Sequence, residues 1–299
     1  MTRTVPILFS LIIVFTTSLA QKKTNSDLPQ KIKEFDQYVE AARNSWSVPG
    51  LAVAVVKDNQ VLFKKGYGVR ELGTMDKVDT QTLFACASTT KAMTAVCMGM
   101  LVDEGKVKWD DPVIKHLPDF HVYDSYVTRD LRIRDLFIHN TGVGNADFLW
   151  TMLDISSDEI LEKMELVKPS YPLRGGYIYQ NIFYLAAGKV IENISGKSWD
   201  QFIKERIFTP LGMNRTFPLL KDINDVNQTK PHYFFNESIH VIENTSADVI
   251  GPAGSVWSCA DDMATWMMCM LDSGKYAGGR LLKASTWTEM FKPQTIISQ

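Results

Sequence analysis

Ser88-Thr89-Thr90-Lys91-Ala92-Met93-Thr94-Ala95-Val96-Cys97-Met98-Gly99-Met100-Leu101-Val102-Asp103-Glu104-Gly105 is apolar on nearly every side until Asp103, and Gly105 is placed to end it. A helix of that kind belongs in the middle of a protein. It opens with the only Ser-x-x-Lys in the chain. Positions i and i+3 share a helix face, so the Lys91 amine can reach the Ser88 hydroxyl. A serine hydroxyl is a weak nucleophile until a base takes its proton, and a lysine serves once burial lowers its pKa. The helix N-terminus adds free backbone N–H groups and a positive dipole end. Taken alone, the pattern is weak: roughly one chance match is expected in a chain this size, and on that pattern alone a plain N-cap is the better account of Ser88.

Upstream, LPQKIKEFDQYVEAARNSW (28–46) has apolar residues at helical spacing and ends at Pro49-Gly50. LAVAVV (51–56) and VLFKKGYGV (61–69), joined through Asp58-Asn59, predict an antiparallel hairpin. Two strands cannot bury a sheet face alone, so partner strands are expected. Downstream, the pattern predicts a loop-rich region with short helices over 130–144, 156–167 and 180–196, the last ended by Gly196, and a further helix at 259–274, after the turn GPAGS (251–255).

A second unique element is Tyr179-Gln180-Asn181. Side chains two apart in an extended stretch point the same way, so phenol and amide can face one cleft. A phenol beside an ammonium favours its anionic form and can shuttle a proton, and an amide offers a donor and an acceptor to a substrate amide. Alone, this motif also fits a core tyrosine and a helix-capping asparagine.

Composition narrows the class. The 299 residues are 45% apolar and 22% charged, and 32 basic against 34 acidic residues leave a net charge of -2. That suits one large globular domain or two interlocked subdomains, and argues against a nucleic-acid partner or a polybasic membrane surface. Arg3, an apolar run from Val5 to Phe15 and Ser18-Leu19-Ala20 predict a secretory signal at 1–20. The mature protein, starting at Gln21, is expected to have no membrane span and to be secreted or periplasmic. Cys86 and Cys97, like Cys259 and Cys269, flank helical stretches. Residues about ten apart on a helix are roughly 15 Å apart, too far to bridge, so buried thiols are expected, with a bridge between the two segments left open. The five histidines and four cysteines do not cluster, so no metal or cofactor is expected. Sequons occur at Asn193, Asn214, Asn227, Asn236 and Asn244.

These motifs, with VPGLAVAVV, TLFACASTTKAMTA, LRIRDLFIHNTGVG, YIYQNIFYLAAGKVIENISGKSW and PAGSVWSCADDMATWM, resemble the serine β-lactamases and penicillin-binding proteins over roughly Val48 to Pro293. The Tyr-x-Asn form of the second motif is similar to the class C β-lactamase and esterase branch. The resemblance implies an α+β fold: an antiparallel sheet flanked by helices, joined to an all-helical subdomain, with the active site between. It implies Ser88 as acyl-forming nucleophile, Lys91 and Tyr179 as the proton-transfer pair, and Asn181 orienting the substrate. The substrate would be a β-lactam, a D-amino-acid peptide, an ester or an amide. His139 is then a loop histidine, since Lys91 and Tyr179 already fill the role of base. One departure stands out: the family's third signature, a Lys-Thr-Gly or His-x-Gly on a late strand, has no counterpart after Asn181. The chain runs through GGRLLKASTWTEMFKPQ (278–294) to Gln299. The expectation is therefore a domain over 21–299 lacking its C-terminal strands. The competing expectation is a non-catalytic binding or assembly member, or an inactive fragment.

Overall fold

The computed structural model describes residues 27–297, so the expected signal at 1–20 lies outside the described residues. Leu28–Ser45 forms helix α1, with Pro29 in its first turn, where a missing N–H costs nothing. Arg43 in the last turn reaches forward to the Val48 carbonyl (2.9 Å) and turns the chain into strand β1, Gly50–Lys57. Asp58 and Asn59 both take positive φ, the geometry of a two-residue hairpin turn, and lead into β2, Gln60–Gly68. The pair runs antiparallel from Gly50 opposite Gly68 to Lys57 opposite Gln60, with an irregularity at Val55/Val56.

Period-2 alternation on β2 meets a different helix on each face. Phe63 lies edge-on to Phe35 of α1, and Lys65 and Tyr67 both bond Asp36 of α1. Lys64, on the opposite face, pairs with Asp261 at the start of the helix Ala260–Leu271, which packs across both strands. Among the described residues the hairpin has no third strand. A second small ladder joins β3, Phe84–Ala85, to Trp257–Ser258.

Thr90–Asp103 is helix α2, and its Met93, Cys97, Met98 and Leu101 are fully buried. Each such Met or Leu side chain taken from water stabilises the fold by about 1.5–3 kcal/mol before entropy is counted. Ser88 is not in this helix, as its predicted span implied. It occupies a one-turn 3-10 helix, Ala87–Thr89, entered through a positive φ at Ala87. The second central helix, Ile182–Ser195, packs on α2 and ends at Gly196 in the left-handed conformation. Its Gly188 is needed for a close approach: a Cβ there would stand 2.2 Å from Pro252 in the one-turn helix Gly251–Gly254.

The short helices expected downstream are present with finer bounds: 130–144 takes in the end of the helix Ser125–Asp130 and the 3-10 turn Ile133–Leu136, and 156–167 splits into an α-helix, Ser157–Glu162, and a 3-10 turn, Lys163–Leu166. The four cysteines are free thiols: Cys97, Cys259 and Cys269 are buried and Cys86 half-buried. A hairpin that sequence reasoning did not foresee pairs His232–Phe235 with Ser238–Val241. The fold is α+β, with helices on both faces of the β1–β2 hairpin and a helical body around α2.

Candidate active site

The exposed Ser88 hydroxyl is approached from two sides: Lys91 Nζ lies 3.1 Å from Oγ and Tyr179 Oη 2.7 Å. Lys91 is 7% exposed, and its amine also donates to Asn181 Oδ1 (2.8 Å) and the Ala253 carbonyl (2.8 Å). This set suits both protonation states. An ammonium has three donors for three acceptors. A free amine spends its two N–H groups on Asn181 and Ala253 and turns its lone pair to the Ser88 hydroxyl. Burial holds the Lys91 pKa below the usual lysine range; Tyr179, by hydrogen bond and charge, and the Asp147 carboxylate push the other way.

The helix Gly251–Gly254 is fixed against one face of α2. Thr90 Oγ1 accepts from the Val256 N–H, and Thr94 donates to the Pro252 carbonyl (2.7 Å), placing the Ala253 carbonyl over Lys91. Neither motif asparagine nor motif serine caps its helix. Asn181 stands at the N-cap position of Ile182–Ser195 without a capping bond, its side chain spent on Lys91 and Asp147 instead.

The segment 179–181 is tied to the loop 139–147 along its whole length. The Gln180 N–H donates to His139 Nδ1 (3.1 Å), and its side-chain amide donates to the Val143 and Gly144 carbonyls. Asn145 Nδ2 donates to the Tyr179 carbonyl, and Asn181 Nδ2 donates to Asp147 Oδ2 (3.0 Å). Sequence reasoning missed Asn145 and Asp147. The signal present was a turn-forming Asn-x-Asp, whose Asp147 N–H closes on Asn145 Oδ1 (3.0 Å).

The His139 ring lies 4.5 Å from the Tyr179 ring, centroid to centroid. A backbone N–H only donates, so Nδ1 is the acceptor and a neutral ring carries its proton on Nε2. Burial, helped by the nearby Lys91 charge, pulls the His139 pKa down to about 4. The unfolded chain takes a proton near 6.5 and the native one does not, so His139 costs stability as pH falls from about 6.5 to about 4 and no more below that. Urea unfolding of wild type and His139→Gln across pH 4–8 should show a difference that is constant above about pH 7 and moves in the variant's favour below it. A pH-independent difference would mean that the native ring is not held neutral.

The Beta-lactamase family model matches residues 35–296, and the chain belongs to that family. It is 29% identical over 255 residues to the unguisins hydrolase ungD of Aspergillus violaceofuscus, spanning 80% of this chain and 45% of that protein. It is 28% identical over 267 residues to penicillin-binding protein 4 of Amycolatopsis lactamdurans, covering 87% and 69% of the two chains. The chain thus spans about half the length of the fungal relative. In structure it resembles the octameric penicillin-binding protein homologue from Pyrococcus abyssi, with TM-score 0.76 and 21% identity over 87% of this chain and 60% of that one. It also resembles FmtA from Staphylococcus aureus, with TM-score 0.73 and 20% identity over 88% and 68%. Among the described residues, no helix is long and apolar enough to cross a membrane.

Proposed function

We propose that this protein is an exported serine hydrolase that forms an acyl-enzyme at Ser88 on a β-lactam, D-amino-acid peptide, ester or amide. The observation that carries this reading is the convergence of a buried amine and a phenol on one exposed hydroxyl. Lys91 as free amine takes the Ser88 proton, directly or through Tyr179, while Oγ attacks the substrate carbonyl. Tyr179 Oη, 2.7 Å from Oγ, then hands a proton to the departing amine or alkoxide, leaving the acyl group on Ser88. Water, deprotonated by the same pair, releases the acid and restores the hydroxyl. The remaining Asn181 N–H, not used by Asp147, is the donor for a substrate amide carbonyl.

Support for the substrate class comes from relatives named as a hydrolase, a penicillin-binding protein and a putative D-alanyl-D-alanine carboxypeptidase. The test is to incubate the protein with a fluorescent penicillin and a fluorophosphonate and map the adduct by peptide mass spectrometry. One adduct, on the peptide containing Ser88, is expected from at least one probe. No adduct, or one on another residue, rejects the reading.

A further inference from the structure

The Asp147 carboxylate gathers three donors. Its Oδ2 accepts from Asn181 Nδ2 (3.0 Å) and Asn145 Nδ2 (3.1 Å), and its Oδ1 from Trp150 Nε1 (3.0 Å). It touches neither Ser88, Lys91 nor Tyr179 in this network, yet both ends of the Tyr179-Gln180-Asn181 segment lead to it. Asn181 bonds it directly, and Asn145 bridges it to the Tyr179 carbonyl (3.1 Å).

An asparagine amide can sit either way round, and here the choice matters. Lys91 Nζ has only donors to offer while charged, so it needs the amide oxygen; presented with the NH2 end, two donors would face each other. A carboxylate has only acceptors and therefore takes the NH2 end. With Lys91 on one side and Asp147 on the other, a single orientation satisfies both. We propose that Asp147 is a positioning residue that fixes the Asn181 amide with Oδ1 toward Lys91 and, through it, aims the amine at Ser88. This inference rests on the acylation mechanism proposed above.

The geometry separates two contributions. One is orientation, which any side chain with an acceptor at Oδ2 supplies. The other is charge: among the described residues Asp147 is the carboxylate that acts on Lys91, whose other titratable neighbours are Tyr179, with Nζ 4.9 Å from its ring, Tyr184, with Nζ 5.2 Å from its ring, and His139, which is neutral above pH of about 4. Removing the charge while keeping the acceptor leaves the amine in place but makes its ammonium form less favourable. Removing both frees the amide to rotate.

Two variants of the full chain divide these effects. Asp147→Ala is expected to lower the limiting rate of Ser88 acylation by about 10–100-fold, the scale of a misaimed catalytic group, while changing the half-saturating probe concentration much less. Asp147→Asn is expected to recover much of that rate, because its amide oxygen still accepts from Asn181 and Asn145 while only the bond from Trp150 Nε1 is given up, but to move the acid limb of the pH–rate profile to lower pH. A side chain that merely props up the loop would shift neither the limb nor the split between rate and half-saturation. The same shift is to be read without turnover, by competitive acetylation of Lys91 with acetic anhydride across pH, quantified by peptide mass spectrometry. If wild type takes no label at Ser88, the hydrolase reading fails, and the acetylation profile still decides whether Asp147 acts on Lys91. Unchanged limiting rate in Asp147→Ala, or an Asp147→Asn protein with an unmoved Lys91 profile, overturns the proposal.

Discussion

Replacing Ser88 with Ala is expected to give a folded protein that takes up no covalent label from either a penicillin or a fluorophosphonate. The loss of label should be complete, because no other residue in the site is offered as a nucleophile. The fold should survive because the hydroxyl is exposed and bonds only Lys91 and Tyr179. It caps nothing: the residue before α2 is Thr89, and it makes no capping bond with its side chain. A substitution at such a position typically changes stability by no more than about 0.5 kcal/mol. The urea midpoint should therefore stay near that of wild type while the label disappears. Label that persists in Ser88→Ala would move the nucleophile elsewhere, and an unfolded variant would show that the Ser88 turn holds the fold in a way its bonds do not reveal.

The elements that could be read from sequence are those with a local physical signature. The β1–β2 hairpin follows from alternation around Asp58-Asn59, and the turn has the positive φ pair that such residues favour. The α2 helix follows from apolar residues on every side, and Gly196 from its place after a periodic run. The hairpin at 232–241 was not legible. Tyr233, Phe234 and Phe235 are all exposed, so no alternation between wet and dry faces marks the strand.

The site divides in the same way. Ser88 and Lys91 share a local spacing, and their juxtaposition was readable from three-residue geometry. The contact between Tyr179 and Ser88 spans 91 positions, and only the order of motifs suggested it. His139, Asn145 and Asp147 act across 34 to 41 positions through single hydrogen bonds from a loop. Loop residues chosen for one such bond leave no periodicity, so the scaffold that aims the motif residues was invisible while the motif residues themselves were not.

Lys91→Ala and Tyr179→Phe are expected to slow acylation of Ser88 by about 10²–10⁴, the range for lost general-base help, while leaving probe binding largely intact. They differ in what happens with pH. Burial holds Lys91 below the usual lysine range, so in wild type the free amine, and with it the acylation rate, rises with pH at lower values than an exposed lysine would allow. That acid limb should vanish in Lys91→Ala, because the group that titrates is gone. It should persist in Tyr179→Phe, which keeps an aromatic ring beside His139 and beneath the Lys91 amine and removes only the oxygen 2.7 Å from Ser88. The two changes should not add, because both remove parts of one proton path: the double variant should be little slower than the worse single. Single-turnover labelling from pH 5 to 10 measures all three. An acid limb that survives in Lys91→Ala would assign the base to another group, and rates within a fewfold of wild type in both variants would leave the convergence on Ser88 without a catalytic role.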